Sequence, residues 1–203
     1  MIVKVCGLRY PDNIREVESC GPDWTGFIFF RKSPRFAGDG VPSYLPRNCR
    51  RVGVFVDSPL EEILVRRDAW GLEIAQLHGD ESPGFCQDLR ERGMEVIKVF
   101  RVGDGLPGNI GDYEDAADHF LFDTSCKGYG GSGKSFDWSV LASYDGKVPF
   151  LLSGGIGPGS IPELERFSHP MCEGIDLNSR FEVQPGLKDA ALIKDFIEKY
   201  RTI

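Results

Sequence analysis

The chain has 203 residues, 41% of them hydrophobic and 27% charged, with a formal net charge of −7. This suits one globular domain with a substantial core, and the acidic balance, with no long basic run, argues against nucleic-acid or membrane-surface binding. No apolar run approaches the roughly 18 residues of a membrane span, and six scattered cysteines without a CxxC pair read as free thiols in a reducing compartment. Met1–Cys6 is strand-like, with no signal-peptide architecture, so a cytoplasmic location is expected.

Taken in order, short apolar runs recur at a steady interval: Ile2–Cys6, Trp24–Phe30, Val52–Val56, Glu73–Leu77, Val96–Phe100, Phe120–Asp123, Val148–Ser153 and Gly174–Leu177. Several are apolar on consecutive residues, such as Phe27-Ile-Phe-Phe30, as a parallel strand covered on both faces requires. Helix signals lie between them. Asp57-Ser58-Pro59 offers caps ahead of Leu60, Ile63, Leu64 and Arg67, and Ser82-Pro83 opens another segment with Phe85 and Leu89 one turn apart. Leu187 to Tyr200 places Leu192, Ile193, Phe196, Ile197 and Tyr200 on one stripe. Phe36–Asn48 and Val102–Ala117, rich in glycine and proline, carry little helical pattern. Eight strands alternating with crossovers, without a composition break, predict a single (β/α)8 TIM barrel over residues 1–203. A doubly wound open sheet is the alternative.

A barrel puts its chemistry at the C-terminal ends of the strands. Those ends carry Cys6, the Phe30–Arg35 loop, Asp57, His78, Arg101, Asp123, Ser153-Gly154-Gly155 and Asp176-Leu177-Asn178-Ser179. The run His119–Phe122 stops on Asp123, and a polar, glycine-rich segment from Thr124 to Phe136 follows before Asp137-Trp138, which read as a helix start. A carboxylate at a buried strand end beside such a loop suits acid–base work, and equally a long crossover. Lys4 shares a strand face with Cys6, so its ammonium would favour the thiolate, although a buried free cysteine is ordinarily a small hydrophobe. The glycine-rich turn after strand seven and Asp176–Arg180 after strand eight point to a phosphate held by backbone donors. Arg35 could clamp a carboxylate or lie on the surface, and His78 could orient substrate or satisfy a polar rim. His119 and His169 read as structural or exposed. A metal at Cys6, Cys126 and His78 finds no support in ligand spacing.

Together the segments Lys4-Val-Cys-Gly7, Ser33-Pro-Arg35, Gln76-Leu-His-Gly-Asp-Glu81, Phe122-Asp-Thr124, Gly130-Gly-Ser-Gly133, Ser153-Gly-Gly-Ile156, Asp176-Leu-Asn-Ser179 and Pro185-Gly-Leu-Lys-Asp189 resemble the phosphoribosylanthranilate isomerases of tryptophan biosynthesis. The resemblance covers nearly the whole chain. It implies a (β/α)8 barrel that performs an Amadori rearrangement of N-(5-phosphoribosyl)anthranilate to 1-(2-carboxyphenylamino)-1-deoxyribulose 5-phosphate without cofactor or metal. By motif it implies Asp123 as general acid on the ribose ring oxygen and Cys6 as general base at C2. Arg35 would meet the anthranilate carboxylate. Gly154, Gly155, Asn178 and Ser179, helped by Gly131, would surround the phosphate. The implied partner is a small phosphosugar, not nucleic acid or membrane, and a homo-oligomer is compatible with the sequence. One departure stands out: the family often has glycine after Asn/Ser-Ser beyond strand eight, where this chain has Arg180 and Phe181.

Two rivals are separable by experiment. A bifunctional barrel that also isomerises the histidine-pathway analogue would want a second phosphate loop, and Ser58-Pro59 after strand three offers no glycine cradle. A non-catalytic phosphosugar-binding barrel needs no acid–base pair, yet both groups are present.

Overall fold

In a computed structural model, residues 1–124 and 137–203 are described. Eight parallel strands close into a barrel in sequence order: β1 (Ile2–Cys6), β2 (Trp24–Ile28), β3 (Arg50–Phe55), β4 (Ile74–Leu77), β5 (Glu95–Val102), β6 (His119–Thr124), β7 (Phe150–Leu152) and β8 (Cys172–Leu177). Closure is made by β8 pairing with β1, with Lys4 opposite Asp176. The expected barrel is therefore the fold, and the open sheet is excluded.

Alternation on the strands sorts side chains to two surfaces. A large apolar cluster lies between sheet and crossovers. A separate one, Trp24, Val52, Ile74, Ile97, Val99, Leu121 and Leu151, with Ile2 against it, fills the lower barrel. Continuing the same registers upward places Lys4 and Cys6, Gln76, Arg101, Asp123 and Asp176 on that interior face. The interior is thus apolar below and polar towards the carboxyl end, where a TIM barrel works.

The crossovers are less regular than the periodicity predicts. Helices α1 (Pro11–Ser19), α2 (Leu60–Trp70), α3 (Pro83–Glu91), α4 (Ile161–Arg166) and α5 (Ala190–Tyr200) follow β1, β3, β4, β7 and β8. Ser82 caps α3 by accepting from the Phe85 N–H at 3.2 Å, with Pro83 at its first turn. Asp57 does not cap α2. It turns to φ 48°, and its Oδ1 accepts from the Asp80 N–H at 2.7 Å, tying the β3 and β4 loops together. The last helix starts at Ala190, not Leu187, because Leu187–Lys188 (β10) pairs antiparallel with Glu182–Gln184 (β9) and Asp189 caps the helix. Short 3₁₀ turns, Ile110–Tyr113 and Trp138–Ser143, lie in the crossovers after β5 and β6; Asp137 caps the second by accepting from the Ser139 N–H at 3.0 Å.

The segment between β2 and β3 contains no α-helix. Its end is tied to α1 instead: Glu18 accepts from the Arg47 and Asn48 N–H groups at 2.6 Å each and from the Tyr44 hydroxyl. One carboxylate thus satisfies two main-chain N–H groups that have no helix to pair them.

A polar network lines the bottom of the barrel. His119 Nδ1 lies 2.5 Å from Glu173 and Nε2 3.4 Å from Glu95, which also accepts from Arg50 at 2.8 Å. Burial opposes charge on His119, but Glu173 and Glu95 outweigh it and hold the pKa above its ordinary 6.5. A raised folded pKa stabilises fully below the unfolded value and is lost as pH rises through the folded one. The melting temperature of wild type relative to His119→Gln is therefore expected to be greatest below about pH 6.5, and the gap should narrow on the alkaline side. A pH-independent gap would refute this.

Candidate active site

The carboxyl ends of β1, β4, β5, β6 and β8 bring one group of polar side chains together. Lys4 is fully buried, and its Nζ donates to Asp176 at 2.8 Å. Cys6 is buried two residues further along the same interior face. Room for its sulfur comes from Gly26 on the neighbouring strand: a Cβ there would lie 2.8 Å from Sγ, too close for any other residue.

The expected pull of Lys4 on Cys6 is present but does not win. Burial pushes the thiol pKa up; Lys4 and Lys188 draw it down, Asp176 raises it again, and the net direction is upward. The sequence shows the ammonium two residues away but not that Asp176 neutralises it or that the thiol is shut from water. In the resting site Cys6 is a thiol. Lys4 itself stays charged: burial works against it, but Asp176 and Cys6 raise its pKa above 10.5. Asp176→Ala would strand that cation in the barrel, and a loss of about 3–5 kcal/mol in unfolding free energy is expected. Urea denaturation would measure it, with Lys4→Met/Asp176→Ala recovering most of the loss.

Asp123 sits at the end of β6, in register with Arg101 on β5, and its Oδ2 lies 3.7 Å from His78 Nε2. His78 is pushed down to about 4, chiefly by burial and then by Arg101, Lys4 and Lys98. At neutral pH this contact is an uncharged imidazole beside a carboxyl, not an ion pair. By the strand registers Asp123 on β6 and Cys6 on β1 both lie at the carboxyl end of the interior face, and Lys4 acts on Cys6 and on His78 alike. The His78 loop is held from outside the barrel: Glu81 accepts from the Asp57 and Gly79 N–H groups and pairs with buried Lys98 at 2.8 Å.

A second group forms beside the first. Arg35 is buried, and its Nε and Nη2 grip Glu182, the Nη2–Oε2 distance being 2.7 Å. It is neither a surface arginine nor an unengaged clamp. Glu182 also accepts from Lys188 Nζ at 2.8 Å, and Lys188 donates to Asn178 Oδ1 at 2.8 Å. The Asn178 side chain is therefore engaged by a lysine. Gly7, at φ 80°, lets this group approach β1, for a Cβ there would stand 2.9 Å from Asn178 Oδ1 and 3.0 Å from Arg35 Cδ.

Gly154 and Gly155 both take left-handed conformations, φ 82° and 79°, directly after β7. Only glycine adopts these at low cost, and it leaves the amides open to a close-lying anion. Among the described residues neither amide has a hydrogen-bond partner. Ser179 opens a short 3₁₀ turn, Ser179–Phe181, after β8. Exposed Arg180 lies against the β7 loop, its Cδ 2.7 Å from where a Gly157 Cβ would be. Gly131, together with Cys126 and the glycine-rich segment that carries it, lies outside the described residues. Cys6, Cys20, Cys49, Cys86 and Cys172 are free thiols, as expected.

Two residues escaped the sequence reading. Glu182 lies in none of the motif segments, and Lys188 lies only within Pro185-Gly-Leu-Lys-Asp189. Both lie on the short hairpin beyond strand eight, Glu182 on β9 ahead of the expected helix and Lys188 on β10 inside its predicted start.

A family model for N-(5'-phosphoribosyl)anthranilate (PRA) isomerase matches residues 3–199. The chain belongs to this isomerase family. An N-(5'-phosphoribosyl)anthranilate isomerase of Phocaeicola vulgatus is 50% identical over 202 residues, covering 99% of this chain and 98% of the relative. One from Parabacteroides distasonis is 46% identical over 98% of this chain and 93% of its own length. Among solved structures, the Thermus thermophilus phosphoribosylanthranilate isomerase superposes with a TM-score of 0.81 at 28% identity, covering 100% of this chain and 99% of that one. Another isomerase of the family, in complex with reduced 1-(o-carboxyphenylamino)-1-deoxyribulose 5-phosphate, has a TM-score of 0.78 at 30% identity, with both chains covered completely. The likeness thus spans the entire isomerase barrel, including every strand end described above.

Proposed function

We propose that this chain isomerises N-(5'-phosphoribosyl)anthranilate to 1-(2-carboxyphenylamino)-1-deoxyribulose 5-phosphate, with Asp123 as general acid and Cys6 as general base. The observation that carries the reading is the pairing of these two groups at the polar end of one barrel interior, Cys6 beside Lys4 and Asp123 beside His78. Membership of the isomerase family supports the substrate.

The steps follow from these two roles. Protonated Asp123 gives its proton to the ribose ring oxygen, the C1–O bond breaks, and the nitrogen lone pair forms an open-chain iminium. The Cys6 thiolate takes the C2 proton, and the C–H electrons neutralise the iminium to an enolamine. Ketonisation, with a proton gained at C1 and one lost from the C2 hydroxyl, gives the product without net proton change. The working form thus has the proton on Asp123 and off Cys6. Burial disfavours that thiolate, while Lys4, Lys188 and the developing iminium cation favour it.

Gly154, Gly155 and Ser179 take the phosphate through backbone donors, Gly131 adding to them; Asn178 contributes its main chain, and His78 borders the sugar as a neutral imidazole. Arg35 meets the anthranilate carboxylate.

Loss of the substrate's anthranilate fluorescence on adding purified protein, with chelator present, is the direct test. Absence of turnover would leave a phosphosugar-binding barrel, and turnover of the histidine-pathway analogue would make it bifunctional.

A further inference from the structure

The Arg35 guanidinium has two forks, and the structure fills only one. Nε donates to both Glu182 oxygens at 2.9 and 3.0 Å, and Nη2 donates to Oε2 at 2.7 Å, which uses the side fork. Both side chains are buried, so this is no surface pair. Among the described residues Nη1 has no hydrogen-bond partner. The end fork, made of Nη1 and the second Nη2 hydrogen, is the part that remains for a ligand.

Glu182 is itself held from three sides. Its Oε1 accepts from Lys188 Nζ at 2.8 Å and from the Gly186 N–H at 3.0 Å. Lys188 spends its other donors on Asn178, and its backbone is clamped by Asn13 of α1, N–H to Oδ1 and C=O from Nδ2, each at 2.8 Å. Burial opposes the Glu182 charge, but Arg35 and Lys188 outweigh it, so the carboxyl stays ionised. A carboxylate so fixed dictates where the guanidinium plane lies, and Gly7 gives the arginine stem its course along the end of β1.

We propose that Glu182, braced by Lys188, is a positioning residue that presents the end fork of Arg35 to the aromatic carboxylate of the substrate. It touches no reacting atom. The proposal rests on the function given above and adds to it which edge of Arg35 reads the carboxylate and what aims it. It also makes Glu182 a specificity determinant, since a misaimed guanidinium loses the carboxylated substrate and not the phosphosugar as such.

The test is a binding comparison of two probes by titration calorimetry. One is reduced 1-(o-carboxyphenylamino)-1-deoxyribulose 5-phosphate; the other is the same compound lacking the ring carboxyl. Glu182→Ala is expected to weaken the carboxylated probe about tenfold or more, as for a charge-assisted hydrogen bond lost, and the decarboxylated one by less than about twofold. Glu182→Gln, which keeps the shape and one acceptor, should fall between wild type and alanine, and it serves if the alanine variant fails to fold. In an Arg35→Ala background the Glu182 effect should vanish, because it acts only through that arginine. In turnover the loss should appear in KM more than in kcat. Equal weakening of both probes, or a Glu182 variant that binds the carboxylated probe as well as or better than wild type, would overturn the proposal. A wild type that binds the carboxylated probe but turns over no substrate would overturn the isomerase reading and leave this one standing. A wild type that binds neither probe would overturn both.

Discussion

Asp123→Asn is expected to lower kcat by about 10²- to 10⁴-fold while KM stays near the wild-type value. The amide keeps the shape of the carboxyl and its place beside His78, 3.7 Å away, but has no acidic proton to give the ring oxygen. Since the ring must open before C2 becomes acidic, the variant should stall at the first step with substrate bound. Stopped-flow fluorescence would distinguish this from weak binding: the anthranilate signal should show binding of normal amplitude and then a slow decay. Turnover close to wild type would mean that another group protonates the ring, and the acid–base assignment would fall. His78 is a poor replacement, because burial and the nearby cations hold its pKa at about 4 and it carries no proton to spare at neutral pH.

Cys6→Ala should be as damaging, by about 10²- to 10⁴-fold in kcat, and for a different reason. In the proposed mechanism it leaves ring opening intact and removes the base at C2, so a substrate deuterated at C2 should show no exchange with solvent in the variant. The wild-type pH profile carries a second signature. In the proposed mechanism the active form holds one proton between the pair, on Asp123 and off Cys6; raising the pH past the thiol pKa strips that proton, and kcat/KM should fall. Because burial outweighs Lys4 and Lys188 at Cys6, the alkaline fall is expected above the ordinary thiol value of roughly 8.5. A fall centred below it would mean that the cations win, contrary to the geometry.

These tests converge on a site whose charges are mostly spoken for before substrate arrives. Lys4 has Asp176, Arg35 has Glu182, and Lys98 has Glu81, each pair buried. Such pairs contribute little to stability against apolar replacements, yet breaking one is costly. Their use here is geometric. They hold the ends of β1, β2 and β8 in fixed relation around Cys6, as Glu81 does for the loops after β3 and β4.

By itself the sequence determined the architecture and the catalytic candidates. Consecutive apolar residues, as in Phe120–Phe122, report a strand covered on both faces, and that is a local property of the sequence. The placement of Cys6 and Asp123 at strand ends followed from the same runs. The tertiary structure alone decided which charges neutralise which: Lys4 meets Asp176 across 172 residues of chain, and Arg35 meets Glu182 across 147. It also decided that Glu18 would hold the end of the helix-free segment between β2 and β3, and that burial would leave Cys6 a thiol despite its lysine. Propensity and periodicity reach only a few residues along the chain, whereas desolvation and ion pairing depend on what closing the barrel brings together.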